Sequence, residues 1–282
     1  MKEVRLNNGV VMPAIGFGVY QIPKEETKRC VLDALEVGYR SIDTAASYFN
    51  EKEVGEAIRE SGLPRESIFV TTKLWVQDYE YDDALRALDK SLSELGLDTV
   101  DLVLLHKPYG NYYAAWWALE RFHKEGRIRA IGVTSFSDER LQDLFLHNEV
   151  KPAVNQIETH PFRQQEKSNA FLKAEGIVHE TWAPFAEGQR GVFTNPVLTK
   201  IAEAHGKSVA AVILRWLNQR GVVVIPKSVR RERMAENLNI LDFTLSAEEM
   251  AGIATLNEEK SPIYDENDLA TARWIGLHTI HD

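Results

Sequence analysis

Four residues of different chemistry lie at the ends of short apolar stretches. The run Gly38-Tyr39-Arg40-Ser41-Ile42-Asp43-Thr44-Ala45-Ala46-Ser47-Tyr48 carries Asp43 and Tyr48. The stretch 68–72 stops at Lys73, and 102–105 stops at His106. Together they form a set for general acid catalysis. A free phenol, with a pKa of about 10, gives up its proton poorly at neutral pH. A nearby ammonium favours the phenolate, and a carboxylate beside the ammonium keeps it charged and oriented. An imidazole can align a carbonyl oxygen with the phenol, so that a proton arrives as negative charge develops there. Taken singly, Asp43 could cap a turn, Lys73 could be a surface charge, His106 a structural histidine and Tyr48 amphipathic packing. The case for a site rests on their joint placement.

The elements that must position them alternate along the chain. A small hairpin over 5–11 turns on Asn8-Gly9. Strand candidates follow at 14–17, 39–42, 68–72, 102–105, 128–133, 153–157, 177–181 and 222–225. Helical patterns lie between them at 25–37, 52–61, 81–95, 113–125, 138–146, 165–174, 197–219 (read as two helices) and 231–238. A late helix over 247–256 has a capping box, Ser246 with Glu249. Strands apolar on both faces and alternating with helices predict a parallel sheet covered on its outside. Eight such units predict an α/β fold, a (β/α)8 TIM barrel with an N-terminal β-hairpin and an extra C-terminal helix, as one domain over 1–282. In such a barrel the C-terminal strand edge is where active sites are built. An open dinucleotide-binding sheet would want a glycine-rich phosphate turn after its first strand. Here Gly16-Phe17-Gly18 is followed by Val19-Tyr20, with no third glycine in register.

Composition narrows the classes of function. The formal net charge of -9 and sequence pI of about 5.5 argue against nucleic acid or an anionic membrane as partner. A single cysteine, Cys30, excludes an intrachain disulfide and suits a reducing compartment. The N-terminus lacks the apolar stretch of a signal peptide, and no apolar run is long enough to span a bilayer. The expectation is a soluble cytoplasmic protein with no metal assigned.

The remaining strand ends carry groups that bind rather than react. Thr134 and Ser135 follow the fifth strand, Asn155 and Gln156 end the sixth, and Trp182 ends the seventh. Hydroxyls and amides there could hold a planar carboxamide, although turn chemistry also favours them. Trp182 could stack on an aromatic ring or belong to the core. After the eighth strand comes Pro226-Lys227-Ser228-Val229-Arg230-Arg231-Glu232-Arg233, with four cations at a helix start. Exposed N–H groups there also favour an anion, and barrel phosphate sites commonly follow strands seven and eight.

The chain resembles the aldo-keto reductases, in particular the bacterial branch that includes 2,5-diketo-gluconate reductases. The resemblance covers nearly the whole sequence. It rests on Gly38-Tyr39-Arg40-Ser41-Ile42-Asp43-Thr44-Ala45, Leu105-His106-Lys107-Pro108, Val154-Asn155-Gln156-Ile157-Glu158-Thr159-His160-Pro161 and Ile225-Pro226-Lys227-Ser228. It implies an NADPH-dependent reductase of a small carbonyl substrate, expected to be a monomer. In that reading Tyr48 is the proton donor, Lys73 and Asp43 tune it, and His106 orients the carbonyl. The nicotinamide would stack on Trp182, with Ala183 and Phe185 following, and its carboxamide would lie near Thr134, Ser135 and Gln156. The adenosine 2′-phosphate would lie against Lys227, Ser228, Val229, Arg230 and Arg233, with Glu236 and Asn237 facing the adenine. Tyr20, Trp75 and Trp274 match pocket-lining positions. Relatives with Glu in place of His106 reduce activated double bonds, so His favours carbonyl reduction.

Two departures stand out. The family usually reads Ser-Asn where this chain has Thr134-Ser135, which removes an amide from the carboxamide site. Lys107 stands where Trp or Gln is common. A cation at the pocket rim would favour acidic substrates, and the alternative is a side chain in solvent. Two other functions compete with a reductase: a non-catalytic nicotinamide-binding regulatory barrel, and a sugar-phosphate isomerase. The isomerase reading leaves Trp182 and the acid–base set without a role.

Overall fold

The computed structural model describes residues 2–265 and 268–282. Two antiparallel strands, β1 (Glu3–Arg5) and β2 (Val11–Pro13), make the hairpin, with Gly9 at φ 87° in its turn. Eight parallel strands follow: β3 (Phe17–Gly18), β4 (Ser41–Asp43), β5 (Phe69–Leu74), β6 (Val100–Leu105), β7 (Ile128–Thr134), β8 (Val154–Glu158), β9 (Val178–Trp182) and β10 (Val223–Val224). Each pairs with the next in chain order. The ends of the sheet meet through a parallel bridge between Ile15 and Val224, with Gly16 N donating to Val224 O at 2.8 Å. This closes the (β/α)8 barrel.

Helices α1 (Lys24–Val37), α2 (Glu51–Glu60), α3 (Tyr81–Leu95), α4 (Tyr112–Lys124), α5 (Asp138–Leu146) and α6 (Glu166–Ala174) each follow one strand. Two helices, α7 (Pro196–His205) and α8 (Val209–Gln219), lie between β9 and β10. Then come α9 (Arg231–Leu238), α10 (Ala247–Ala254) and α11 (Leu269–Leu277). The capping box on Ser246 and Glu249 forms as its spacing predicts. The helix α11 was not legible in the sequence. Nor was the irregular 3-10 segment Ala186–Thr194, where Glu187 and Arg190 adopt left-handed backbone.

Strand alternation sorts the core into two layers. On β6, Val103 and Leu105 face the helices, whereas Leu102 and Leu104 face the barrel axis with Met12, Phe69, Ala130, Val154 and Val223. Leu6 and Met12 bring the hairpin into this inner layer, and Asn7 and Asn8 donate to Pro152 O and Arg129 O. The hairpin therefore seals the N-terminal end of the barrel. The opposite end is left for polar groups.

Continuing the same alternation identifies those groups. Asp43 on β4, Lys73 on β5, His106 just after β6, Thr134 on β7, Gln156 on β8 and Glu180 and Trp182 on β9 all fall on the inward phase. The strand boundaries shift by up to three residues from expectation, and the shift at the end of β5 has a physical reason. The stretch 68–72 was expected to end before Lys73, but β5 runs on to Leu74, with Lys73 in register with Leu104. The charge does not end the strand because Asp43 neutralises it inside the barrel.

Candidate active site

Asp43, Tyr48, Lys73 and His106 converge at the C-terminal mouth of the barrel. Lys73 Nζ donates to Asp43 Oδ1 at 2.5 Å, to Thr44 O at 2.9 Å and to Tyr48 Oη at 3.3 Å. Tyr48 closes a short 3-10 turn, Ala46–Tyr48, directly after β4, and this swings its phenol over the Lys73 ammonium. The same turn brings Ser47 Oγ to 3.3 Å from His106 Nδ1. The Tyr48 and His106 rings meet edge-on with centroids 5.6 Å apart.

The electrostatics differ in one respect from the simple sequence argument. Burial raises the Tyr48 phenol and outweighs the ammonium of Lys73, which pulls the other way; the balance is about 12. The phenol thus keeps its proton until a base stronger than phenolate forms beside it. Burial disfavours the charge on Lys73, but Asp43 and Tyr48 outweigh it, so its pKa is raised and the ammonium persists. His106 is held well below its ordinary value by burial and by the neighbouring Lys73 and Lys107. Its imidazole is neutral at physiological pH.

Two side chains pack directly against this set. Tyr20, about half exposed, lies 4.9 Å from the Tyr48 ring. Trp75 is buried edge-on against His106 at 5.2 Å. Trp75 Nε1 donates to His278 O at 2.8 Å, and Trp274 stacks on His278 at 5.0 Å. Trp274 is itself exposed, so it reaches the site through His278 rather than directly. Sequence reasoning missed His278 and Ser47. No spacing rule links a C-terminal His to Trp75 across 203 residues.

A second group lies on the β7–β9 side. Thr134 Oγ1 donates to His106 O at 2.8 Å, which ties β7 to the end of β6 and uses the hydroxyl proton. Ser135 adopts φ 61°, a left-handed conformation that Asn takes more readily than Ser. Gln156 Nε2 donates to Asp43 Oδ2 at 3.0 Å and to Glu180 Oε2 at 2.8 Å. Trp182 stacks nearly parallel on Tyr264, with centroids 5.7 Å apart, and its Nε1 is buried without a partner among the described residues. Ala183 is left-handed at φ 49°, and Phe185 packs on Phe193 at 5.6 Å.

Lys107 requires a correction. A place at the rim, in reach of substrate, or in open solvent was expected. The side chain is instead only 8 % exposed. Its Nζ donates to Ser135 Oγ at 3.1 Å and to Tyr264 Oη, and lies 5.4 Å from the Trp182 ring centroid. Tyr79 Oη, bonded to both the N–H and the carbonyl of Lys107, clamps its backbone. The ammonium thus belongs to the Ser135–Trp182–Tyr264 group.

The basic run after β10 is also resolved into parts. Arg231 pairs with Asp33 and Glu36 of α1 and is committed to the fold. Lys227, Arg230 and Arg233 are exposed, with no side-chain ion pair among the described residues. Ser228 is buried, and its hydroxyl accepts from Arg230 N at 3.1 Å, shaping the entry to α9. Val229 and Asn237 pack inward, while Glu236 is exposed. Three cations and the free N–H groups of the first turn of α9 thus lie together at the C-terminal end of the barrel.

Comparison with known proteins agrees with this geometry. The Aldo/keto reductase family profile matches residues 14–258. A glyoxal reductase of Bacillus subtilis is 48% identical over 259 residues, covering 91% of this chain and 93% of that protein. Among solved structures, the aldo-keto reductase MGS-M4 from a Medee basin deep-sea metagenome library superposes with a TM-score of 0.92. It is 41% identical, with 94% of this chain and 99% of that chain covered. The Bombyx mori aldo-keto reductase in complex with NADP has a TM-score of 0.88 and 34% identity, covering 97% and 96% of the two chains. With an acid–base set at the mouth of an eight-stranded barrel and a family match over most of its length, this chain belongs to the aldo/keto reductase family of oxidoreductases.

Proposed function

We propose that the protein reduces an aldehyde or ketone to an alcohol with NADPH, and that Tyr48, Lys73, Asp43 and His106 carry the proton side of the reaction. The observation that carries this reading is the buried contact chain Tyr48–Lys73–Asp43 beside a neutral imidazole. NADPH, when bound, supplies the hydride to the carbonyl carbon and becomes NADP+.

The residues on the β7–β9 side and after β10 fit that cofactor. Trp182 offers an indole face and a buried Nε1 without a partner among the described residues. Gln156 Oε1 is left as an acceptor, because both hydrogens of its Nε2 are used. Lys227, Arg230 and Arg233 supply charge for a phosphate.

Each catalytic side chain then has one task. When Ser47 donates to His106 Nδ1, the imidazole hydrogen is placed on Nε2, where it can bond the substrate carbonyl oxygen. Tyr48 gives its proton to that oxygen as the carbonyl becomes an alkoxide, a far stronger base than phenolate. Lys73 holds the resulting phenolate, and Asp43 holds Lys73. Trp75 and the His278 segment shield the site from water, which strengthens these charge contacts.

Two results test the reading. Purified protein should oxidise NADPH when given members of a panel of small carbonyl compounds that includes 2-oxoaldehydes, the class suggested by the glyoxal reductase relative. No turnover across aldehydes, α-keto acids, diketones and keto sugars, with NADPH still bound, would favour a regulatory barrel instead. The second result concerns Lys107, whose ammonium stands beside Ser135 where it can donate to a carboxamide oxygen. Lys107→Met is expected to raise the Kd for NADPH by about tenfold, the size of one charge-assisted hydrogen bond. The ratio of KM for an acidic and a neutral substrate should stay within about twofold. A change confined to the acidic substrate would place the ammonium at the substrate rim after all.

A further inference from the structure

We propose that Glu180 is a positioning residue for this reaction. As a neutral carboxyl it holds the second hydrogen of the Gln156 amide, and it keeps a second negative charge out of the Asp43–Lys73–Tyr48 chain. The inference rests on the function proposed above.

Glu180 sits at the middle of β9, two residues before Trp182 and on the same inward phase, and is completely buried. Its Oε2 accepts from Gln156 Nε2 at 2.8 Å, and the same nitrogen donates to Asp43 Oδ2 at 3.0 Å. An amide nitrogen has two hydrogens, and both are used. The flipped amide would press its oxygen against the Asp43 carboxylate, which has no hydrogen to share, so that contact selects one orientation, and Glu180 Oε2 takes the second amide hydrogen. Gln156 Oε1 is thereby turned away from both carboxyls and left to accept from a carboxamide. Asp43 alone would leave the second amide hydrogen buried and unpaired.

The other oxygen of Glu180, Oε1, is buried with no partner among the described residues. An ionised carboxylate there would leave half of its charge unsolvated. The charged groups that face Glu180 are Asp43 from β4 and Lys73 from β5. The residues in register with it on β8 and β10 are Gln156 and Val223, neither of which carries charge. Burial first, and then the Asp43 carboxylate, lift Glu180 well above the ordinary carboxyl range and favour its neutral form. At neutral pH the cluster therefore holds one carboxylate and one ammonium. When Glu180 loses its proton, a second negative charge appears beside Asp43. The Tyr48 phenolate becomes harder to form and the phenol a weaker acid. The reductive rate should fall as pH rises through the ionisation of Glu180.

The test compares wild type with Glu180→Gln, which keeps the shape and an acceptor for Gln156 but cannot ionise. In wild type, kcat for carbonyl reduction at about pH 9.5 is expected to be at least about threefold lower than at about pH 7. In Glu180→Gln the same ratio should lie near unity. Infrared difference spectra of the cofactor-free protein give a second readout that needs no turnover. A protonated-carboxyl C=O band should disappear on raising the pH across the same interval in wild type and be missing from Glu180→Gln. An equal alkaline fall in both proteins, or no titrating carboxyl band in wild type, would overturn the role of Glu180. Failure of wild type to consume NADPH would count against the proposed function, and the infrared spectra would still decide the protonation of Glu180.

Discussion

Replacing Tyr48 by Phe is expected to lower kcat for carbonyl reduction by a factor of about 100 or more, while the Kd for NADPH changes little. The substitution removes one oxygen and keeps the ring that packs between Tyr20 and His106. The aromatic wall of the pocket therefore survives. What disappears is the one proton donor that Lys73 contacts at 3.3 Å. The sign with pH follows from the balance at Tyr48. Because burial pushes the phenol up to about 12, the acid form persists through the neutral range and is lost only as pH approaches that value. Reduction uses the acid form, so Tyr48 itself imposes no loss of activity between neutral and moderately alkaline pH. Stopped-flow measurement of the hydride step, with cofactor titration in parallel, checks the prediction. Near wild-type turnover in Tyr48→Phe would pass the acid role to another group.

The second large effect concerns cofactor choice. Arg233→Ala is expected to weaken NADPH by about 10- to 100-fold, corresponding to about 1.5–3 kcal/mol for a charge-assisted contact to phosphate. NADH, which lacks that phosphate, should be nearly unaffected. Arg231 is the internal control. Its guanidinium is bound to Asp33 and Glu36, so Arg231→Ala should loosen the contact between α1 and α9 without discriminating between the two cofactors. The difference for Arg233 should shrink in high salt, because its side chain is exposed in the free protein. Equal weakening of both cofactors by Arg233→Ala would show that this residue does not read the 2′-phosphate.

Much of the architecture was legible from the chain alone. The alternation of short apolar strands with helical periods specifies a parallel sheet, and eight units of that length close a barrel. The convergence of the candidate set was legible for a related reason. Asp43 and His106 stand at the ends of apolar runs, where a polar side chain on the inward phase has nowhere to go but the mouth of the barrel. The capping box at Ser246 and Glu249 is local and also forms as its spacing predicts. These features depend on contacts within a few residues or on a period, and a sequence displays both.

Tertiary structure alone decided the rest. Lys107 looked like a rim residue because a lone Lys usually keeps its ammonium in water. Tyr79, Ser135 and Tyr264 come from 28, 28 and 157 residues away to bury it. Glu180 was passed over because an acidic residue inside an apolar strand has no partner within its own segment. Its partner, Gln156, lies on the neighbouring strand β8, and the carboxylate that opposes its ionisation lies on β4. The Tyr48 phenol shows the same division. Residue types predicted that Lys73 would lower its pKa, but the depth of burial, a property of the folded barrel, reversed the sign. Sequence sets which groups are available and on which face of each strand they lie. Only the closed barrel sets how far they are from water and from one another, and those distances govern charge.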